Sequence, residues 1–419
     1  MDKIIINGGQ KLSGEVKISS AKNAVLPIIA ASILSADKCI IDNTPMLEDV
    51  FVISDVLRSI SADVDIDKTN DKIIIDTSDI YDCEPCGELV KKLRASFLIM
   101  GPMLSRFGKF KISLPGGCNI GTRPIDLHLK GLSALGAEVN VGYGYVEAKA
   151  KKLIGNKIYL DFPSVGATEN IMMAAVMAEG ETIIENAAEE PEIEDLARFL
   201  NSMGANVIGG GTDTIRVRGV KNLKGTVHKP IYDRIETGTF MVAAAITKSK
   251  IKIIGVNEEH LKPIIAKLKE MGVIIKIEGE NIIVDGTNEL KPIDIKTMPY
   301  PGFPTDMQAQ MMGLLSSVHG TSVITETIFE NRYMHVSEMR RMGANIKIDG
   351  RNAIIEGVNT LTGCEVKSTD LRAGAALILC GLAAHGVTEV TDVYHIDRGY
   401  VNIEKKLQRL GADVYRKSM

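Results

Sequence analysis

The sequence predicts an α/β protein of two pseudo-symmetric domains, each built from three βαβαββ units. Three observations carry that expectation. A turn-and-strand signature recurs six times. An almost wholly apolar helix precedes each copy. The interval between copies is near seventy residues, longer than the common solenoid periods, which favours globular domains over a stacked array.

The signature is a Gly-Ala-x-Val type turn after a helix. Its copies are "ISADVDI", "LGAEVNV", "MGANVIG", "MGVIIKI", "MGANIKI" and "LGADVYR", with third residues Ala62, Ala137, Ala205, Val273, Ala344 and Ala412. Successive copies are 68 to 75 residues apart and fill nearly all of the 419-residue chain. The helix before each signature is amphipathic. "EIEDLARFLNSMGA" and "VNIEKKLQRLGA" place Leu and Ile at i, i+3 and i+4, so one face is buried and one is wet. The second helix of each unit lies upstream: "SSAKNAVLPIIAASIL", "KKLRASFLIMGPML", "SVGATENIMMAAVMA", "YDRIETGTFMVAAAIT", "FPTDMQAQMMGLLSS" and "STDLRAGAALILCGLAA". Ala, Met and Leu nearly all round mark these as buried. A strand such as "ETIIENA" or "VTEVTDV" follows each one.

The first turns of the buried helices are polar. They carry Lys22 with Asn23, Arg94, Ser164 with Thr168, Arg234 with Glu236, Asp306, and Asp370 with Arg372. Ser, Asp and Thr there read as caps. Cations against the positive end of the macrodipole do not. Lys22, Arg94, Arg234 and Arg372 therefore suggest an anion held near the helix N-termini.

One loop stands out. In "SLPGGCNIGTRPIDLHL", Cys118 is flanked by Gly116, Gly117 and Gly121, with Arg123 close behind. Structural thiols sit among apolar neighbours. Glycines let backbone approach a ligand, and nearby positive charge favours thiolate. The loop reads either as a reactive thiol on a mobile flap or as a hairpin turn that happens to contain cysteine.

Composition narrows the class. Apolar residues make up 45% and charged residues 24%, with a net charge of −4. The balance argues against a general nucleic-acid surface. No apolar run reaches membrane-spanning length and no secretory leader is evident, so a cytoplasmic protein is expected. The six cysteines then read as free thiols. "CEPC" (Cys83 to Cys86) has no second pair and reads as a coincidence in a loop. "IGGGTDT" lacks the GK[ST] of a phosphate loop and reads as a hairpin turn. No cluster has metal spacing, so no metal and no cofactor are expected.

The motifs "SSAKNAVLPIIAASIL", "LPGGCNIGTRPIDLHLKGLSALGAEV", "PSVGATENIMMAA", "DRIETGTF", "FPTDMQAQ", "ENRYMHVSEMRRMGA" and "YHIDRGYVNIEKKLQRLGA" closely resemble the enolpyruvyl transferases, on the branch that acts on UDP-N-acetylglucosamine. The resemblance runs from the first strand to the last helix. It implies an inside-out α/β barrel of two domains with the active site between them. Residues 22–229 would form one three-repeat domain, and residues 1–21 with 230–419 the other. It implies transfer of the enolpyruvyl group of phosphoenolpyruvate to the 3-hydroxyl of UDP-N-acetylglucosamine, with release of phosphate, in peptidoglycan synthesis. It calls for two small-molecule substrates, no nucleic acid, no membrane and a monomer.

The resemblance also implies roles. Cys118 would donate the proton, carry a covalent phosphoenolpyruvate adduct and be alkylated by inhibitors of the fosfomycin type. Asp306 would be the general base, with capping of its helix as a compatible second role. Lys22, Asn23, Arg123, Arg332, Asp370, Arg372 and Arg398 would bind phosphoenolpyruvate, with Lys22 and Arg398 also serving catalysis. Asp370 would position a neighbouring arginine or take part in proton transfer. Asn23, Arg94, Arg123, Pro124, Ile125, Asp126, Leu127, Ser164, Val165, Gly166, Asp306 and Ile328 would bind UDP-N-acetylglucosamine. One departure is Phe162, where some members carry a lysine contacting the diphosphate. His128, His335 and His395 are read as packing or hydrogen-bonding residues. The alternatives are 3-phosphoshikimate 1-carboxyvinyltransferase, which lacks the cysteine flap, a non-catalytic anion-binding repeat protein, and RNA-end cyclases of related architecture, against which the acidic charge counts.

Overall fold

A computed structural model describes residues 2–114 and 125–418. The chain divides into two compact units. One takes residues 2–19 and 232–418, and the other 20–114 and 125–231. Among the described residues each unit holds three sheets and three buried helices, one set per repeat, so all six expected repeats are present.

The buried helices are Lys22–Ala31, Met100–Phe107, Val165–Ala175, Arg234–Ile246, Gln308–Leu315 and Leu371–Ala383. All thirteen residues of Arg234–Ile246 are buried. In the unit carrying the chain ends, the helices Arg234–Ile246, Gln308–Leu315 and Leu371–Ala383 touch one another pairwise. Glycine permits the approach. A Cβ on Gly238 would stand 2.8 Å from Met307 Sδ.

The strand after each buried helix alternates as period two requires. Lys109–Ser113, Glu181–Glu185, Lys250–Ile254, Thr321–Thr325 and Val387–Thr391 all bury their second and fourth residues. The first four pair antiparallel with the hairpin that closes their repeat, as in Ile253↔Ile282 and Ile324↔Ala353. Five of the six sheets add a short parallel edge strand. In the sixth, a single backbone bond from Lys111 N–H to Cys83 C=O at 2.9 Å replaces that strand. Cys83 and Cys86 lie in this loop as free thiols. The "IGGGTDT" stretch turns between the antiparallel strands Asn206–Ile208 and Thr214–Arg218, as a hairpin should. The N-terminal strand Asp2–Asn7 completes the last repeat, pairing with Val387–Thr391 on one side and Asp413–Ser418 on the other.

The recurring signature has a backbone cause. Gly136, Gly204, Gly272, Gly343 and Gly411 all take positive φ, between 92° and 107°, at the helix end. This is the left-handed C′ position that favours glycine. The first repeat has Ser61 there, at φ 77°. Its Cβ crowds the following carbonyl. Ser61→Gly is therefore expected to stabilise that unit by about 0.5–1 kcal/mol, the relief of strain exceeding glycine's extra unfolded-state entropy. A rise in the urea midpoint at unchanged m-value would check it.

Candidate active site

Asp306 lies in the short turn Thr305–Met307 that opens the helix Gln308–Leu315. The turn forms no side-chain cap, so the capping role expected for Asp306 does not hold. Its oxygens go to two guanidiniums instead. Oδ1 accepts from Arg332 Nη2 at 2.7 Å and Oδ2 from Arg372 Nη2 at 2.8 Å. Both arginines are only 4% exposed. Arg332 Nη1 donates to Thr305 Oγ1 at 2.9 Å, and Arg372 Nη1 to Tyr400 OH at 3.3 Å. Tyr400 OH in turn meets Thr239 Oγ1 at 2.9 Å.

Burial works against ionisation of Asp306. Arg372 and then Arg332 outweigh it and hold the carboxyl well below the usual carboxylate range. In this arrangement Asp306 is a firmly ionised anion and a weak base.

Asp370 caps the helix Leu371–Ala383. Its Oδ1 accepts from Arg372 N–H at 2.9 Å and Ala373 N–H at 3.0 Å. It thus fixes the main chain of Arg372, while the guanidinium goes to Asp306. Asp370 holds the neighbouring arginine by its backbone, through the cap that the helix start needs. His335 is fully buried, and burial pushes its imidazole down to about 4, against the pull of Asp370 and with help from Arg332. It is neutral at ordinary pH. Arg398 ends the short helix Tyr394–Asp397, and Ile328 is half-buried with its N–H on Glu326 Oε1 at 2.8 Å.

The second unit presents another group of the expected residues. Lys22 is the first residue of its helix, and its Nζ stands 3.1 Å from Asp49 Oδ2. The carboxylate that offsets this cation is therefore part of the protein, as Asp306 is for Arg372. Asn23 is half-buried beside it. Arg94 begins the 3₁₀ segment Arg94–Ile99. Ser164 caps the helix Val165–Ala175 through a long 3.4 Å bond from Ala167 N–H. The first-turn N–H groups of a helix have no intrahelical acceptor, so those of Val165 and Gly166 can serve an anion. Ile125, Asp126 and Leu127 open the helix Asp126–Ala134, with Asp126 exposed. Phe162 is exposed just before Ser164, and its neighbour Asp161 pairs with Lys130 at 2.7 Å.

His128 belongs with this group although sequence reasoning set it aside. Asn170 Oδ1 accepts from Gly101 N–H at 2.8 Å, which fixes the amide orientation. Asn170 Nδ2 then donates to Phe97 C=O at 3.0 Å and stands 2.8 Å from His128 Nδ1. Nδ1 must be the acceptor, so the ring carries its proton on Nε2. Burial, with Arg94 adding to it, pushes the imidazole down to about 4. A Cβ on Gly166 would stand 3.3 Å from His128 Nε2. His128 is a fixed neutral donor directed at the Ser164–Gly166 turn.

Cys118, Arg123 and Pro124 lie outside the described residues. Among the described residues, no group of His, Cys, Asp or Glu could hold a metal ion, and no helix is long and apolar enough to cross a membrane.

The family model for EPSP synthase (3-phosphoshikimate 1-carboxyvinyltransferase) matches residues 6–407. The enolpyruvyl transferase NikO from Streptomyces tendae superimposes with a TM-score of 0.91, covering 100% of this chain and 99% of that one, at 24% identity. These establish the fold, an inside-out α/β barrel of two domains, as the sequence predicted. The branch is decided by full-length relatives. UDP-N-acetylglucosamine 1-carboxyvinyltransferase 2 of Clostridium tetani is 79% identical over 99% of this chain and 100% of its own. UDP-N-acetylglucosamine 1-carboxyvinyltransferase 1 of Clostridium acetobutylicum is 68% identical with the same coverage. The chain belongs to the UDP-N-acetylglucosamine 1-carboxyvinyltransferase family. Membership sets aside the shikimate branch and the non-catalytic scaffold. As a carboxyvinyltransferase, the chain draws Asp306, Arg332 and Arg372 into one hydrogen-bonded cluster with Thr305 and Tyr400, two residues the motifs did not single out. Both lie inside quoted motifs, "FPTDMQAQ" and "YHIDRGYVNIEKKLQRLGA", but as a plain threonine and tyrosine they carried no signal of their own.

Proposed function

We propose that this protein transfers the enolpyruvyl group of phosphoenolpyruvate to the 3-hydroxyl of the GlcNAc ring of UDP-N-acetylglucosamine and releases phosphate. The observation that carries the reading is the Asp306 carboxylate gripped by Arg332 and Arg372. Planar guanidinium forks suit phosphate and carboxylate equally. Arg332 Nε is buried with no acceptor among the described residues, so one arm of the fork is available to an anion.

The reaction adds a proton to C3 of phosphoenolpyruvate, which builds positive charge at C2. The sugar oxygen bonds to C2 and loses its proton. The tetrahedral intermediate then expels phosphate from C2 and a proton from C3, restoring the double bond. Cys118 supplies the C3 proton, and Asp306 takes the hydroxyl proton. An incoming phosphoenolpyruvate competes with Asp306 for Arg332 and Arg372. As the forks turn to the substrate, the carboxylate loses the field that makes it a weak base. Substrate binding thereby arms the base. Lys22, Asn23, Arg123, Asp370 and Arg398 complete the phosphoenolpyruvate contacts. Arg94, Arg123 through Leu127, Ser164 through Gly166 and Ile328 hold UDP-N-acetylglucosamine, with Val165 and Gly166 offering backbone N–H groups to the diphosphate and His128 a neutral donor. The protein works as a cytosolic monomer.

The test is phosphate release from phosphoenolpyruvate, with UDP-N-acetylglucosamine or shikimate 3-phosphate as acceptor, for the wild type and Cys118→Ala. Release is expected only with UDP-N-acetylglucosamine and should fall about 10²–10⁴-fold in the variant, the span of a positioned acid–base group. Pre-treatment with an epoxide of the fosfomycin type should abolish it. Release that survives both would remove Cys118 as proton donor. Release with neither acceptor would overturn the reading.

A further inference from the structure

Glu326 follows the strand Thr321–Thr325 and is fully buried. Four donors converge on its carboxylate. Oε1 accepts from Thr297 Oγ1 at 2.9 Å, Ile328 N–H at 2.8 Å and Phe329 N–H at 3.2 Å. Oε2 accepts from Thr305 Oγ1 at 2.8 Å. A buried carboxylate is tolerated when its lone pairs are filled in this way. The second arm does more than satisfy it. Thr305 is the residue before Asp306, and its oxygen also accepts from Arg332 Nη1 at 2.9 Å.

The hydroxyl of Thr305 has one proton. Given to Glu326, that proton leaves the oxygen lone pairs facing Arg332. The anion at position 326 thus sets the direction of the whole chain, Arg332 to Thr305 to Glu326. The first arm ties down the N–H groups of Ile328 and Phe329, in the segment that leads to Arg332. One side chain therefore fixes both the fork of Arg332 and the path by which it arrives.

We propose that Glu326 is a positioning residue for this reaction, acting on the phosphoenolpyruvate-binding fork of Arg332 through the hydroxyl of Thr305. The inference rests on the function proposed above. Glu326→Gln separates the two arms. The amide oxygen can still serve Thr297, Ile328 and Phe329. The amide nitrogen then faces Thr305 and can only donate, so the threonine proton must turn away and compete with Arg332.

The experiment is a double-mutant cycle of Glu326→Gln and Thr305→Val, with kcat and both KM values measured on folded protein whose thermal midpoint is recorded. Each single variant should raise KM for phosphoenolpyruvate about tenfold, leave KM for UDP-N-acetylglucosamine within about twofold, and the double variant should be no worse than Thr305→Val alone. Losses that multiply would overturn the proposal, because Glu326 would then act by another route. A lowered midpoint with unchanged kinetic constants would overturn it too, reducing Glu326 to a structural group. Crystal structures of the wild type and Glu326→Gln give a readout independent of turnover. Displacement of the Arg332 guanidinium from Asp306 supports the proposal even if no acceptor is turned over, and an unmoved Arg332 sinks it.

Discussion

Asp306→Asn is expected to lower phosphate release at least about 10³-fold and to destabilise its unit by about 3 kcal/mol, the lower end for removing one partner of a buried ion pair. The two effects have different causes. The amide keeps the shape of the carboxylate and can still accept from one arginine. It cannot take a proton from the sugar hydroxyl. The stability loss follows because Arg332 and Arg372 keep their charge with no counterion within their 2.7–2.8 Å contacts. The pH dependence separates this account from a simple packing defect. The native carboxyl lies well below its unfolded value, so the stabilisation is fully present above about pH 4. It is lost as pH falls through the lower native value. The gap in thermal midpoint between wild type and Asp306→Asn should be widest near neutrality and should shrink in strong acid. A gap that stays constant from pH 7 to pH 3 would falsify the electrostatic account.

The repeats were legible because two periodic requirements write themselves into sequence. Buried helices need small and apolar residues on every side, and the helix ends at Gly136, Gly204, Gly272, Gly343 and Gly411 need positive φ. Asp306, Arg332 and Arg372 were legible only as members of long motifs. What the sequence could not disclose was how they partner. Arg332 and Asp306 are 26 residues apart, Arg372 and Asp306 66 apart, and only the folded unit shows that the two cations share one carboxylate. Cations at helix N-termini were legible too, but not that Asp49 and Asp306 stand beside Lys22 and Arg372. Glu326 was invisible for the opposite reason: a lone glutamate after a strand carries no pattern, and its importance lies in hydrogen bonds such as that to Thr305, 21 positions away. His128 stood inside a motif and read as a packing or hydrogen-bonding histidine, but its partner Asn170 is 42 positions away and is shown only by the fold.

Arg372→Lys is expected to keep most of the stability and lose about 10²–10³-fold in kcat/KM for phosphoenolpyruvate. Lysine preserves the charge, so the Asp306 carboxyl stays depressed and its unit stays folded. It does not preserve the fork. Arg372 spends Nη2 on Asp306 and Nη1 on Tyr400, while Asp370 clamps its main-chain N–H at 2.9 Å. The side chain therefore leaves from a fixed point and reaches two acceptors at once. A lysine from the same point offers a single compact ammonium and cannot present two parallel N–H groups to a phosphate or carboxylate. Arg372→Met removes the charge as well. The Asp306 carboxyl should then rise, with burial no longer opposed by its strongest cation, and stability near neutrality should drop by about 3 kcal/mol or more. The pair of variants divides charge from geometry. If lysine restores turnover to within about threefold of wild type, charge alone suffices at this position and the fork is dispensable. If lysine restores the thermal midpoint but not the rate, the planar geometry of Arg372 is what the reaction requires.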